Sequence, residues 1–471
     1  MPLDFDIVQT ERVSDNGLKA IHNAERSMRI EVVRDVDRFS SLHDEWNSIA
    51  EKGAATVFQT HEWLFLWWKH FGTEGYRFLH ILLFRDQQTI VGIIPLFLEV
   101  HTTLGFLVHK RLRLLGCGVA STYSSYSAIS EYGPSDFLDF IALPESRSHV
   151  AEAFINYLKD NPFVCDEIKF ENASDESIIK KELFPWLEAT SIHYEIHVRR
   201  SDICPRLNIP STIEEYLRGL HSSVRRRLRQ AQNTFSRDGN YALETISSGK
   251  LSDGFQDLVD LHQSRWNRLG YPGLFQDYRF EDFQRDILKA FWEHGWVWFK
   301  AVQLDGSRVA IRLGFKFNRR LYDYLSGFDD RKQVSKYRPG LALLFSMLED
   351  AVQWGYQYVE FLRGKEEYKF ELTSDVMNNW TIRLLNRNTY HSFRSHLYQA
   401  GQWFTNIIFQ LSKERELLHV QFEEHGFLSG LLHYVSFRAN KFIDKVFSWL
   451  KKTSDEQNRT NHQQVYSERE P

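Results

Sequence analysis

The sequence predicts an α/β (α+β) chain built from two consecutive halves of one plan, followed by a helical tail. Three observations predict it. Strand-like and helix-like segments alternate from residue 28 to about residue 387. The stretch "SDICPRLNIPST" at 201–212 carries two prolines and breaks the pattern midway, which marks a boundary. Each half also holds consecutive strands with a Gly or Ala early in the second, "VGIIPLFLEV" and "VAIRLGFKF", as an internal duplication would leave. The expected divisions are a polar leader at 1–27, a first domain at 28–205, a second at 206–387, a helical extension at 388–452 and a disordered polar tail at 453–471.

The elements follow in order. "MRIEVVRD" reads as a strand, and "VDRFSSLHDEWNSIAEK" reads as a helix with Phe39, Leu42 and Trp46 on one face. "THEWLFLWWKHFG" at 60–72 reads as a helix with Thr60 as N-cap, Glu62 in its first turn and Gly72 at its end. Two strands come next, "YRFLHILLFR" and "TIVGIIPLFLEV", joined by "DQQ". In the second half helices are expected at 213–237, 253–269, 278–294 and 339–355. Strands are expected in "GWVWFKAVQL", "SRVAIRLGFKFN" and "RLYDYLSGFD", then at 357–362 and 376–387. Two amphipathic helices follow. In the second, Val435, Ala439, Phe442, Ile443, Val446, Phe447 and Leu450 form a stripe beside Arg438, Lys441, Lys445, Lys451 and Lys452. Such a helix can pack on the protein's own core or lie on an anionic membrane.

Composition narrows the class. Of 471 residues, 42% are hydrophobic and 25% charged, an ordinary globular balance. Aromatics reach 15%, with 36 Phe and 13 Trp, which favours aromatic-rich cores or grooves over disorder. A net charge of −4 argues against a chain-wide nucleic-acid footprint. Cys117, Cys165 and Cys204 are too far apart for a zinc motif and odd in number, so a reducing compartment is expected. The N-terminus lacks the apolar core of a signal peptide, and no apolar run approaches the roughly 20 residues of a membrane span. The expected location is cytoplasmic, peripheral at the inner membrane face only if the tail helix lies on a membrane and does not pack on the core.

Four constellations could carry chemistry. In "SKYRPGLALLFSMLEDAVQWG", Pro339 suits a first helical turn and Gly340 leaves its amides open. Such a terminus can hold phosphate, and Arg331, Lys332, Lys336 and Arg338 surround it with positive charge. In "EFLRGKEEYKFELTSD", Gly364 permits a tight turn, Arg363 can grip an anion bidentately, Tyr368 offers a phenol and Lys369 a point charge or base. In "LHSSVRRRLRQAQNTFSRDG", Arg225, Arg226, Arg227 and Arg229 cluster opposite Val224, Leu228 and Ala231, an anion cradle or a solvated face. In "LHQSRWNRLGYPGLF", His262, Arg265 and Trp266 share a helix face and can line a groove or simply pack. No Walker loop, GxGxxG, HExxH or GxSxG occurs, so no metal site or acyl-enzyme serine is expected.

In combination the order is specific: basic helix, His/Arg/Trp helix, "YDYLSGFD", Pro-Gly helix, "FLRGKEEYK", final strand. It resembles the GNAT-superfamily acetyltransferase-like domain of the CelD type (acetyltransferase 6), found in proteins linked to cellulose and exopolysaccharide biosynthesis. In the first half, "VFQTHEWLFLWWKHFG", "VGIIPLFL", "LRLLG" and "SDFLDF" resemble that family's N-terminal half. The resemblance spans roughly residues 30–385 and extends to Fem-type aminoacyl ligases, built from two GNAT-like halves. It implies two tandem GNAT-like domains, each a mixed, mostly antiparallel sheet flanked by helices. The family's Arg-Gly-x-x-x-Tyr-Lys signature falls on Arg363, Gly364, Tyr368 and Lys369. Its usual Asp is Glu360 here, and its frequent acidic residue after the Gly is Lys365.

The resemblance implies acyl transfer from acyl-CoA, acetyl-CoA first, to an amine or hydroxyl of a sugar or polysaccharide precursor by direct attack. Pro339, Gly340 and Arg338 would hold the cofactor. Arg363, Gly364, Lys369, His262, Arg265 and Trp266 would contact substrate. Tyr368 or Tyr324 would protonate the thiolate, and Glu360, Glu367 and His262 stand open as the base. Two alternatives are carried: a Fem-type ligase using aminoacyl-tRNA, motivated by the basic helix, and a non-catalytic partner of a polysaccharide synthase, motivated by the tail.

Overall fold

In the computed structural model, the described residues are 28–73, 75–103, 107–118, 133–189, 194–237, 241–268 and 273–387, with isolated positions 395, 397 and 400. The leader, the Ser/Tyr-rich 121–130 and the amphipathic tail helices lie outside them. The chain divides into two compact units, Met1–His101 with Lys110–His391, and Thr102–His109 with Ser392–Pro471. In the latter, Ser395 Oγ lies 3.5 Å from His109 Nε2. All candidate site residues belong to the former.

The fold is mixed α/β, with large sheets flanked by helices. β1 (Arg29–Val33) leads into α1 (Val36–Ser40) and α2 (His43–Lys52), then α3 (His61–Trp67), which runs on as a wider turn to Gly72. Thr60 caps α3 by accepting from the Trp63 amide, as its sequence position predicts. The two expected strands that follow each split in two. β2 (Arg77–Leu79) and β3 (Ile81–Asp86) part at His80, and β4 (Thr89–Ile94) and β5 (Leu96–Thr103) part at Pro95. The hairpin thus bends out of one sheet into another, because Pro95 cannot donate a ladder hydrogen bond.

Beyond it come β6 (Leu107–Leu114), β7 (Ile141–Ala142), α4 (Arg147–Asp160), β8 (Glu167–Ser174), α5 (Phe184–Ala189) and β9 (Tyr194–Asn208). The expected break at 201–212 is mostly strand. Pro205 sits inside β9 opposite Val376, and only 209–212 connects. The second half supplies α6 (Ile213–Gly219), α7 (Ser222–Arg237), β10 (Tyr241–Thr245), α8 (Leu251–Arg268) and α9 (Tyr278–Glu293). β11 (Val297–Leu304), β12 (Ser307–Phe317) and β13 (Arg320–Phe328) form a meander. α10 (Pro339–Gln353), β14 (Tyr358–Glu360), α11 (Glu367–Leu372) and β15 (Val376–Asn386) complete it.

One sheet has the order β1-β3-β4-β7 and the other β10-β11-β12-β13-β14-β9-β15-β8-β6-β5-β2. The halves repeat one plan: a strand, helices, antiparallel strands, then a parallel pair closed over a helix. β6 and β8 pair in parallel around α4, and β13 and β14 around α10. Their last strands are exchanged. β9 lies beside β14, and β15 lies between β8 and β9. The halves also share a core. Trp63 packs on Phe283, Phe291, Phe315 and Tyr324, and its indole donates to Ser135 Oγ at 2.8 Å.

Candidate active site

The parallel pairing of β13 with β14 spans only three positions, Arg320↔Tyr358, Leu321↔Val359 and Tyr322↔Glu360. β13 continues to Phe328, while the other strand leaves the sheet through Leu362 (φ 57°) and Gly364 (φ 135°). The two strands therefore diverge from Tyr322 and Glu360 onward, opening a wedge. A register shift between Leu313 and Gly314 further bends β12 against β13 at this level.

α10 begins at the open end of that wedge. Arg338, in the left-handed conformation (φ 52°), is its N-cap, and no side chain caps its first amides. Gly340, in the first turn, lies beside Phe328, which an added Cβ would meet at an ordinary contact distance of 3.8 Å. Arg265 of α8 stacks 4.2 Å over the same Phe328 ring. Beside the α10 terminus lies an open cavity of about 430 Å³ lined by Ser223, Arg226, Arg227, Gln230, Arg338 and Glu371. The basic helix and the Pro-Gly helix, noticed separately in the sequence, thus contribute to one cationic mouth. Arg227 pairs with Glu371 at 2.6 Å, and Arg225 turns away onto the carbonyls of Leu217 and Arg218.

The Arg-Gly turn is held from both sides. Arg363 Nε pairs with Asp136 Oδ1 at 2.8 Å, its backbone amide donates to Asp136 Oδ2 at 3.2 Å, and its guanidinium also reaches the carbonyl of Ser135. Asn379 Nδ2 donates to Asp136 Oδ1 at 2.9 Å. Buried Lys369 donates to the carbonyl of Arg363 at 2.8 Å and pairs with Glu366 at 3.1 Å. Both cations were expected to bind substrate anions; each is engaged in shaping the turn. Gly364 supplies the positive φ expected of it.

The tyrosines part company. Tyr368, on α11, packs with the α10 face of the sheet, where its phenol lies beside Arg312 and Asp323. Arg312 and Asp323 form a buried ion pair. Tyr324 packs on the other face, against Phe58, Trp63 and Phe315. It donates to the Pro134 carbonyl and accepts from Gln284 Nε2, each at 2.9 Å. Burial holds both phenols above their usual range.

Glu360 stands at the apex of the wedge, fully buried. Its Oε1 accepts from Arg320 at 3.4 Å, and Oε2 has no hydrogen-bond partner among the described residues. Burial raises its carboxyl to about 7, against the opposing pull of Arg320 and Arg206. It is thus half-ionised near neutral pH, the condition a general base needs. Glu367 is exposed. His262 is buried on α8 against Phe275, and burial lowers its imidazole to about 4. Trp266 and Arg265 share its helix face, with Arg265 lying over the Phe328 ring. Arg312, Asp323, Arg320 and Asp136 were missed as site residues, although for Arg312 and Asp323 a charge inside the apolar runs "VAIRLGF" and "LYDYL" is a visible signal.

Residues 222–370 match the family described as acetyltransferase (GNAT) domain. No curated protein matches the chain. The crystal structure of FemX has a TM-score of 0.52 at 10% identity, covering 78% of this chain and 100% of that one. L-PGS from Bacillus licheniformis gives 0.42 at 11% identity, covering 75% and 93%. A tandem GNAT protein from the clavulanic acid biosynthesis pathway gives 0.37 at 10%, covering 75% and 98%. The likeness to FemX is one of fold. The wedge, α10, Glu360 and the Arg-Gly turn all fall inside the matched segment.

Proposed function

We propose that the chain is an acyltransferase that moves an acyl group from acyl-CoA, acetyl-CoA first, to an amine or hydroxyl of a sugar or polysaccharide precursor. The observation that supports it is the divergence of β13 from β14 at Glu360, with a cationic mouth at its open end. The pyrophosphate rests at the α10 terminus among Arg338, Arg226 and Arg227, where the Gly340 N–H and the guanidinium groups favour an anion, the Leu341 and Ala342 amides being bonded to the Arg338 carbonyl. The pantetheine arm follows the wedge, offering backbone groups of β13 that no strand occupies. The acyl carbon meets the acceptor near the apex.

There Glu360 takes the proton from the attacking N–H or O–H as the new C–N or C–O bond forms. The C–S bond breaks, and the thiolate leaves as a thiol on gaining a proton. Tyr324 is the better-placed acid of the two tyrosines, since it packs on Phe58 as does Tyr322, the register partner of Glu360. The full chain is given acetyl-CoA and a panel of amino sugars and saccharides, and thiol release is followed. Acceptor-dependent release, lost in Glu360→Gln, is expected. No release with any acceptor, together with no calorimetric binding of acyl-CoAs, overturns the reading.

A second reading, transfer from aminoacyl-tRNA, draws on Arg226 and Arg229, both exposed on α7. It predicts retention of tRNA that charge reversal at these two positions abolishes. A cytoplasmic setting beside polysaccharide-synthesis machinery follows from the sugar acceptor in our reading. Among the described residues, no helix is long and apolar enough to cross a membrane.

A further inference from the structure

Away from the wedge, three residues from distant parts of the chain meet at the surface. His43 opens α2, Glu62 lies in the first turn of α3, and His294 caps the C-terminal end of α9. Both imidazoles aim Nε2 at the same carboxylate oxygen, with 2.6 Å from His43 and 2.9 Å from His294 to Glu62 Oε1. The donor atoms of all three side chains lie within 4.8 Å of one another. The two rings are stacked, their centroids 5.9 Å apart.

A second layer fixes this arrangement. His43 Nδ1 lies 2.7 Å from Asp44 Oδ1, which leaves Nε2 to face Glu62. Asn47 Nδ2 donates to both oxygens of Glu62 at 2.9 and 3.0 Å, while its own oxygen accepts from the His61 amide at 2.9 Å. The His294 ring stacks on Trp296, centroids 4.4 Å apart. Glu62 is buried, yet among the described residues no Lys or Arg pairs with it. The His43 and His294 side chains are 41% and 37% exposed, so the cluster opens to solvent on one side.

We propose that His43, Glu62 and His294 bind one zinc-type divalent cation, which ties the first half's helices α2 and α3 to the end of α9 in the second half. Two imidazoles and one carboxylate suit zinc, whereas calcium and magnesium prefer oxygen donors alone. Donor atoms sharing one tetrahedral zinc, at bonds of about 2.0–2.1 Å, lie roughly 3.3 Å apart. The two Nε2–Oε1 separations, 2.6 and 2.9 Å, need to widen by roughly 0.4–0.7 Å to reach that spacing, the nitrogen–nitrogen separation lies within 4.8 Å, and the two surface imidazoles can supply the adjustment. The cation takes the place of the two N–H···O hydrogen bonds. A carboxylate on the outer nitrogen of a ligating histidine, as Asp44 is here, is the usual support for such a ligand. The open side leaves a coordination position for water. This inference does not rest on the acyl-transfer reading.

The test uses the full chain, stripped with a chelator and titrated with zinc against a chromogenic competitor. One zinc per chain is expected, with a rise in Tm on zinc addition. His294→Ala, at an exposed helix end, is expected to lose at least about 100-fold in zinc affinity and the Tm response. Asp44→Asn is expected to lose about 10–100-fold while keeping the stoichiometry. His221→Ala, an exposed histidine outside the cluster, should bind as the wild type does. Failure of the wild type to retain zinc, or undiminished affinity in His294→Ala, overturns the site and leaves a hydrogen-bonded cluster only.

Discussion

Removing the carboxylate that anchors the Arg-Gly turn tests how much of that turn is structural. Asp136 is 4% exposed and accepts from three donors: Arg363 Nε at 2.8 Å, the Arg363 amide at 3.2 Å and Asn379 Nδ2 at 2.9 Å. Asp136→Ala leaves all three without that acceptor and removes the counter-charge of a guanidinium whose side chain is only 20% exposed. Breaking a buried ion pair in this way costs about 3–5 kcal/mol. Asp136→Asn keeps an acceptor and loses the charge, so about 1–3 kcal/mol is expected. Replacing both partners, Asp136→Leu with Arg363→Met, should recover much of the loss, because no charge is then left unpaired. Urea unfolding followed by tryptophan fluorescence measures each variant, and the double-mutant cycle gives the coupling. An Asp136→Ala variant within about 0.5 kcal/mol of wild type, or a coupling near zero, would refute the reasoning, because surface ion pairs behave that way.

The carboxyl of Glu360 is raised in the folded state to about 7 from an ordinary 4.5, so its stabilising contribution is full below about 4.5 and lost as pH rises through 7. The unfolding free energy from urea titrations should therefore fall from pH 5 to 8 for wild type relative to Glu360→Gln, by up to about 3 kcal/mol, and parallel curves would contradict it. Gly364→Ala meets both a positive φ and a Cβ 2.0 Å from Glu366 Oε2, so a loss above about 1 kcal/mol is expected, read as a lowered Tm. Gly340→Ala, with its nearest neighbour at 3.8 Å, should be close to neutral by the same measurement. Arg226→Ala and Arg338→Ala should each weaken acetyl-CoA binding by about 10–100-fold in calorimetry, the worth of one charged hydrogen bond, at unchanged Tm.

The regular parts of the second half were legible because their periods are clean. The strands of the β11–β13 meander and the helix starting at Pro339 lie within a residue or two of where pattern and caps put them. Three things were not legible. Pro95 and His80 turn single apolar runs into strands of two different sheets, and apolarity alone carries no information about a bend. β9 contains Pro205, which local rules read as a break, while the partner that makes it a strand is 171 positions further on, at Val376. The segment 367–372 was treated as part of a turn, yet forms a short helix that turns Tyr368 toward Arg312. Within the site, local sequence identified the over-equipped turn but assigned its cations to substrate. Their partners, Asp136 and the carbonyls of the turn, are set by tertiary structure. "SDFLDF" and "FLRGKEEYK" lie far apart in the sequence, and the fold joins them through the Asp136–Arg363 ion pair. The zinc-type cluster has ligands at 43, 62 and 294, a spacing that no short motif could reveal.

The exchange of last strands bears on how the molecule is made. A nascent chain that has delivered β8 and β9 holds two strands whose common neighbour, β15, is the last element before residue 387. Until β15 leaves the ribosome, both strands expose unpaired backbone edges of the kind that recruit foreign strands. Neither half can close its own part of the large sheet alone, so synthesis must run almost to the end of the second half before the first is complete. A fragment cut between residues 205 and 206 inherits this gap, while β15, supplied separately, would be its natural plug.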